Sequence, residues 1–212
     1  MAERIEELFK TIKDPKVLFL YCRTIEEYFK DKNDGSFGDF VGKNGVELAN
    51  IETVSSVLTK VKNENRAGGK RFVDSRKVRM LLTPTRNIII DLIRNKVFQT
   101  NNLSDILNYE NLFSFAEDIA ILLVLKEVSK SQIYDLLSIF KSPSINSAVR
   151  KDMDLIKPLF AINLASISKL DKETLNFFYG LANIKTDEDY KLLKRFIESV
   201  YVCHSSYYGG KE

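Results

Sequence analysis

Residues 75–96 read SRKVRMLLTPTRNIIIDLIRNK, and the spacing of their apolar side chains decides the fold class. Apolar residues recur there at three- and four-residue intervals, first at Val78, Leu81 and Leu82 and then at Ile88, Ile89, Leu92 and Ile93. This is the period of an α-helix with one buried face. Between the two groups, Thr83-Pro84 predicts a helix end followed by a new helix with proline at its first position.

The same period runs through the remainder of the chain, which holds only nine glycines and four prolines among 212 residues. The two-residue alternation that is typical of half-buried strands is nearly missing. We therefore predict an all-α protein, a compact helical bundle of roughly eight to ten helices. The predicted helices span roughly 2–13, 15–31, 44–64, 74–82, 84–99, 103–128, 131–141, 145–168, 171–183 and 186–207.

Several predicted boundaries carry the chemistry of a helix start or of a break. Asp14-Pro15 supplies a capping carboxylate followed by proline, and acids with capping residues also open 171–174 and 186–189. Pro143 and Pro158 predict further breaks or kinks. The glycine-rich loop at 31–45 predicts a division between an N-terminal helical pair, residues 1–45, and a helical-bundle domain, residues 46–212.

The composition excludes several functional classes. Cys22 and Cys203 are far apart and lack Cys-x-x-Cys spacing, which argues against a disulfide scaffold and a zinc site. His204 is the single histidine, so acid–base chemistry at neutral pH is severely limited, and we expect a packed or surface imidazole. The segment at 37–44 fails the phosphate-loop pattern at both ends. We predict no catalytic residue, metal ligand or cofactor.

The N-terminus is charged and lacks the apolar core of a signal peptide. The longest apolar runs are much shorter than the roughly 20 residues that a membrane-spanning helix needs. The sequence therefore predicts a cytoplasmic protein with no membrane association.

Positive charge is concentrated between Lys60 and Lys96. Eleven Lys or Arg and three acids give this stretch +8, and since the chain totals +3, the remainder carries −5. Arg76 and Arg79 share one helical face, and Arg86 and Arg94 are a little over two turns apart. Such a face can neutralise phosphates and release counterions, whereas the plainer interpretation is a solvated helical surface. A basic face that docks on an acidic protein partner is a third possibility.

Three segments carry a resemblance to a known family. Residues 193–212 read LKRFIESVYVCHSSYYGGKE and end in Tyr208-Gly-Gly-Lys211; residues 75–82 read SRKVRMLL, and residues 171–175 read DKETL. Together they resemble the small helical subunit of type III-A (Csm) CRISPR interference complexes. The resemblance covers about a third of the chain, and the three segments themselves total 33 of its 212 residues. The chain departs from that family in its greater length, with an extra N-terminal helical pair, and in having Ser75-Arg76 where members have Thr-Ser.

The resemblance implies a non-catalytic subunit of a ribonucleoprotein in antiviral defence. Copies of such a subunit associate with one another and with the other Csm subunits, and they touch the backbone of a guide–target RNA duplex. Arg79 falls on the family's arginine and Lys211 on its terminal lysine. We therefore expect RNA phosphates to be contacted by Lys70, Arg71, Arg76, Lys77, Arg79, Arg86, Arg94 and Lys211.

Overall fold

The computed structural model describes residues 12–30, 59, 63, 75–98, 112–141 and 149–208. Every regular element in these ranges is helical, so the all-α prediction is confirmed. The predicted helices at 2–13 and 44–64 lie almost wholly outside the described residues. The elements are α1 (Pro15–Lys30), α2 (Ser75–Val97), α3 (Leu112–Leu125), α4 (Lys130–Ser138), a 3-10 helix (Ile139–Lys141), α5 (Val149–Ala165), α6 (Lys172–Leu181) and α7 (Asp187–Tyr208).

The chain forms two compact units, Met1–Leu92 and Ile93–Glu212, called unit 1 and unit 2 below. The predicted division between residues 45 and 46 lies outside the described residues. In unit 1, α1 buries one face through Leu18, Cys22 and Ile25. Unit 2 contains α3 to α7 and the last turn of α2.

The C-terminal helix α7 organises unit 2. It packs most extensively against α3 and also contacts α4 and α5, while α5 contacts α4 and α6. Aromatic rings fill the space between these helices: the ring centroid of Phe160 lies 6.2 Å from that of Phe140 and 6.3 Å from that of Phe178. Removing such side chains from water is the main favourable term in folding. None of the described helices has both the length and the apolar character required to cross a bilayer.

The predicted helix starts at residues 15, 171 and 186 are confirmed, with the expected capping side chains in place. Asp14 Oδ1 accepts the backbone N–H of Lys16 at 2.8 Å, with Pro15 as the first residue of α1. Asp171 Oδ1 accepts the N–H of Thr174 at 3.0 Å at the start of α6. Before α7, the Thr186 hydroxyl accepts the N–H of Asp189, whose carboxylate accepts the N–H of Thr186 in return. These bonds satisfy backbone donors that a helix leaves unpaired.

Pro84 lies inside α2, so the predicted helix end at Thr83-Pro84 is wrong. A proline within a helix loses one backbone hydrogen bond and costs about 3 kcal/mol. Here the side chains of Val78, Leu82 and Ile89 are fully buried on both sides of the proline, and their burial offsets this cost. Pro84 itself is exposed, and the Thr83 hydroxyl donates to the Arg79 carbonyl at 3.0 Å. Pro158 likewise lies inside α5 and does not end that helix.

The turn between α3 and α4 has a left-handed residue, Glu127, with a φ of 57°. The N–H of Glu127 donates to Val124 O at 2.9 Å, and the N–H of Val128 donates to Leu123 O at 3.0 Å. This is the Schellman arrangement of a helix C-terminus, usually built with glycine at the left-handed position. It leaves the Val128 carbonyl facing His204, whose Nε2 lies 3.0 Å from the Val128 oxygen.

His204 is fully buried, so of the two expected environments, packed or surface, the imidazole has the packed one. Burial lowers the pKa of His204 to about 4, and nearby Lys130 lowers it further, while the hydrogen bond to Val128 acts in the opposite direction. Since Nε2 donates to the carbonyl, the neutral ring is the form that fits the core.

Both cysteines are buried and unbridged, Cys22 in unit 1 and Cys203 in unit 2. Burial raises the pKa of the Cys22 thiol to about 12, and the nearby Glu26 carboxylate adds to the rise while Arg86 opposes it. The Cys22 thiol is therefore protonated at neutral pH and is not a nucleophile.

Pro84→Ala is expected to raise the free energy of unfolding by about 1–3 kcal/mol, because alanine restores the missing N–H donor within α2. Urea denaturation followed by circular dichroism at 222 nm measures the change. A lower midpoint for the alanine variant would contradict the account of α2 as a helix stabilised by its buried face.

His204→Gln is expected to flatten the dependence of stability on pH. The folded-state pKa lies below that of the unfolded chain, so the unfolded state gains the proton first as the pH falls. Between about pH 7 and about pH 5 the wild-type chain should lose about 2 kcal/mol through this group. Glutamine keeps a donor for Val128 and cannot titrate. Thermal unfolding across this range measures both slopes, and parallel curves would refute the assignment.

Candidate nucleic-acid interface

The structure describes the side chains of three of the eight predicted RNA contacts, namely Arg79, Arg86 and Arg94. Lys70, Arg71 and Lys211 lie outside the described residues. Arg76 and Lys77 belong to the first turn of α2, where only the helical backbone is described.

Arg79 and Arg86 occupy the part of α2 that belongs to unit 1. They are seven residues apart, about two helical turns, and so lie on the same side of the helix. Arg79 is exposed. Arg86 is held by α1: its Nη2 lies 3.0 Å from Glu26 Oε1 and donates to Glu26 Oε2 at 3.3 Å. Both partners are largely shielded from solvent, so this pair braces α1 against α2 rather than leaving the guanidinium wholly available.

Arg94 lies in the last turn of α2, within unit 2, and is also paired. Its Nη2 donates to Asp171 Oδ2 at 2.7 Å, and its Nε lies 3.5 Å from Glu173 Oε2. Lys126 places a second cation 2.8 Å from the same Asp171 oxygen. The other oxygen of Asp171 accepts the N–H and the hydroxyl of Thr174, each at 3.0 Å.

Asp171 therefore joins α2, the end of α3 and the start of α6 through one carboxylate. Partial burial alone would raise its pKa. The hydrogen bonds from Lys126 and Thr174 outweigh that effect and hold the pKa of Asp171 well below its usual range. The carboxylate is thus ionised at every pH at which the protein is expected to work.

Lys96, the last base of the predicted stretch, has a buried partner. Its Nζ lies 2.6 Å from Asp118 Oδ2, and the Asp118 side chain is 5% exposed. The bases at positions 86, 94 and 96 are thus compensated by carboxylates from α1, α3 and α6. Sequence reasoning missed these partners because they lie up to 77 residues away along the chain, and no local pattern marks them. Asp171, for example, was assigned only a capping role.

Within the ranges that the structure covers, no three His, Cys, Asp or Glu side chains are arranged to hold a metal ion. The acids of this region face cations on neighbouring helices, and the arrangement stabilises the fold.

Asp171→Asn is expected to lower the free energy of unfolding by about 1–2 kcal/mol near neutral pH, because Arg94 and Lys126 lose their shared countercharge while the capping oxygen remains. The folded-state pKa is depressed, so the stabilisation is present above about pH 4 and is lost as the pH falls through the acidic range. Urea denaturation at several pH values measures the difference. Asp135→Asn, on the exposed side of α4, is the control for loss of one charge, and equal effects of the two changes would contradict the assignment.

The chain was compared with family models, curated proteins and solved structures. No family model, no curated protein and no solved structure matches the chain. The described geometry provides one exposed arginine on α2, Arg79, together with bases that brace neighbouring helices.

Proposed function

We propose that the chain is a non-catalytic, RNA-binding small subunit of a type III CRISPR effector ribonucleoprotein that contacts the backbone of a guide–target RNA duplex. The observation that carries the proposal is the exposed Arg79 on α2, at the position of the arginine in the family that residues 75–82 and 193–212 resemble. The all-α fold agrees with such a subunit. Cytoplasmic location and association with the other Csm subunits belong to the same proposal.

Contact through phosphates suits this surface. An A-form duplex hides its base edges in a deep, narrow groove, so proteins recognise it through backbone and shape. Arginine is suited to phosphate because its planar group presents several N–H donors at once. The proposed contacts are Lys70, Arg71, Arg76, Lys77, Arg79, Arg86, Arg94 and Lys211. Of these, Arg86 and Arg94 would share their donors between a phosphate and a carboxylate.

A helical protein-interaction adaptor is the second candidate, and one feature of α5 favours it. Leu155, Leu159 and Ile162 are 53%, 37% and 67% exposed. Their spacing of four and three residues aligns them on one side of the helix. An exposed apolar stripe of this kind is typical of a protein contact. It would serve an adaptor whose basic face meets an acidic partner, and it would equally serve a subunit that packs against neighbouring subunits or copies of itself.

Arg76→Ala combined with Arg79→Ala is expected to weaken binding to a guide–target RNA duplex. The slope of log affinity against log salt should fall by about one unit for each phosphate that the variant no longer neutralises. Fluorescence anisotropy of a labelled duplex measures both quantities. Lys157→Ala with Lys172→Ala is the matched control, since it removes two exposed charges from α5 and α6.

Unchanged affinity and slope, or an equal loss in the control, would contradict the RNA contact. Co-purification separates the two candidates. A subunit of the proposed kind is recovered with a short guide RNA and backbone subunits, whereas an adaptor is recovered in a nuclease-resistant protein complex that lacks RNA.

A further inference from the structure

A second cationic surface lies on unit 2, formed by the outward sides of α4 and α7. The two helices run antiparallel. Val128, just before α4, contacts His204; Tyr134 within α4 contacts Tyr201; and Phe140, in the 3-10 helix that follows α4, contacts Tyr190. Their residue numbers therefore rise along one helix as they fall along the other. The paired segment of α7 covers about 20 Å of helix.

Two tyrosines occupy the middle of this surface. Their ring centroids are 5.8 Å apart and their planes are inclined at 58°. Tyr134 is 44% exposed and Tyr201 is half-buried. Lys141 Nζ lies 4.9 Å from the centroid of the Tyr134 ring, a cation–π contact that holds a positive charge beside the aromatic pair.

Lysines extend the surface in both directions from the tyrosines. Lys130 opens α4, and Lys191 and Lys194 lie two to three turns before Tyr201 on the same side of α7. In the part of the chain that the structure describes, none of the ion pairs involves Lys130, Lys191 or Lys194. The bases near the end of α2, by contrast, are matched with carboxylates.

Acids do not cancel this charge. Glu198 lies among the lysines on α7, Asp187 lies one turn before Lys191, and Asp135 lies beside Tyr134 on α4. Four lysines against three acids leave the surface positive. Unpaired lysines around accessible aromatic rings are the combination that binds single-stranded nucleic acid, in which phosphates meet the cations and unpaired bases stack on the rings.

We propose that this tyrosine–lysine surface, defined by Lys130, Tyr134, Lys141, Lys191, Lys194 and Tyr201, binds a single-stranded polynucleotide. Bases stack on Tyr134 and Tyr201, and the lysines neutralise the flanking phosphates. A duplex is a poorer ligand because its bases are already stacked on one another. The contact goes beyond the duplex contact proposed for α2 and uses different residues. An acidic peptide could meet the lysines, but it offers no bases to the tyrosines.

The test measures the affinity of the full chain for a labelled oligouridylate of about 16 nucleotides, a length within the range that single-strand binding proteins cover. Tyr134→Leu with Tyr201→Leu keeps apolar bulk and removes the stacking rings, so affinity should fall at least about fivefold with the salt slope unchanged. Lys141→Gln with Lys194→Gln should lower the slope by about 1.4, because each single-strand phosphate contact contributes about 0.7.

Lys157→Gln with Lys172→Gln is the matched control for charge, and its affinity should equal that of the unchanged chain. Circular dichroism checks that each variant is folded. If the double tyrosine change unfolds the chain, Tyr134→Leu alone, at the more exposed ring, provides the same test with a smaller loss. Equal affinity of the tyrosine variant and the unchanged chain overturns the proposal, and so does an equal loss in the control.

Two further measurements separate this surface from its alternatives. A poly-glutamate peptide that competes with the oligouridylate and binds the tyrosine variant as tightly as the unchanged chain would assign the surface to an acidic protein and overturn the proposal. In a chain that carries Arg76→Ala and Arg79→Ala, the double tyrosine change should still lower the affinity for oligouridylate by the same factor. If the arginine variant loses duplex binding and the tyrosine variant still binds oligouridylate normally, the α2 contact is retained and this surface is rejected. If the arginine variant binds the duplex normally and the tyrosine variant loses oligouridylate binding, this surface alone is retained.

Discussion

The burial of one face of α7 is the constraint on which unit 2 depends. Leu193, Phe196, Ile197 and Val200 are at most 1% exposed. Each such side chain contributes about 1.5–3 kcal/mol when it leaves water, whereas an exposed ion pair contributes about 1 kcal/mol or less. The apolar face therefore fixes the rotation of α7, and with it the outward direction of Lys191, Lys194 and Tyr201. The side chains that α7 presents to solvent are thus determined by the apolar side chains that it must bury.

The helices can be predicted from the sequence because they depend on nearby capping residues and on the three- and four-residue spacing of apolar side chains. Predicted helices at 15–31 and 186–207 correspond to Pro15–Lys30 and Asp187–Tyr208. Their starts were marked by side chains that act within three residues, such as Asp14 and Thr186. Pro84 was misjudged for the opposite reason. The preference of a proline is visible in the sequence, but the burial that overrides it depends on which side chains meet other helices.

Charge was the least predictable property. Counting bases between Lys60 and Lys96 gave a strongly positive stretch, yet Glu26, Asp118 and Asp171 come from distant positions to meet Arg86, Lys96 and Arg94. Such pairing can be known only after the chain has folded. The lysines of α4 and α7 do not stand out in the sequence because acids lie among them, although no carboxylate pairs with Lys130, Lys191 or Lys194 among the described residues. Which charged side chains a ligand can reach is decided by the folded surface, and the count of charges along a stretch of sequence does not show it.

Cys22 and Cys203 provide two native probes of local opening. Each is buried and unbridged, and each belongs to a different compact unit. A thiol reagent can modify such a cysteine only while the structure around it is open, so the modification rate measures the free energy of that opening. Because no other cysteines are present, peptide mapping of the modified chain would time the opening of the two units separately, without any engineered label.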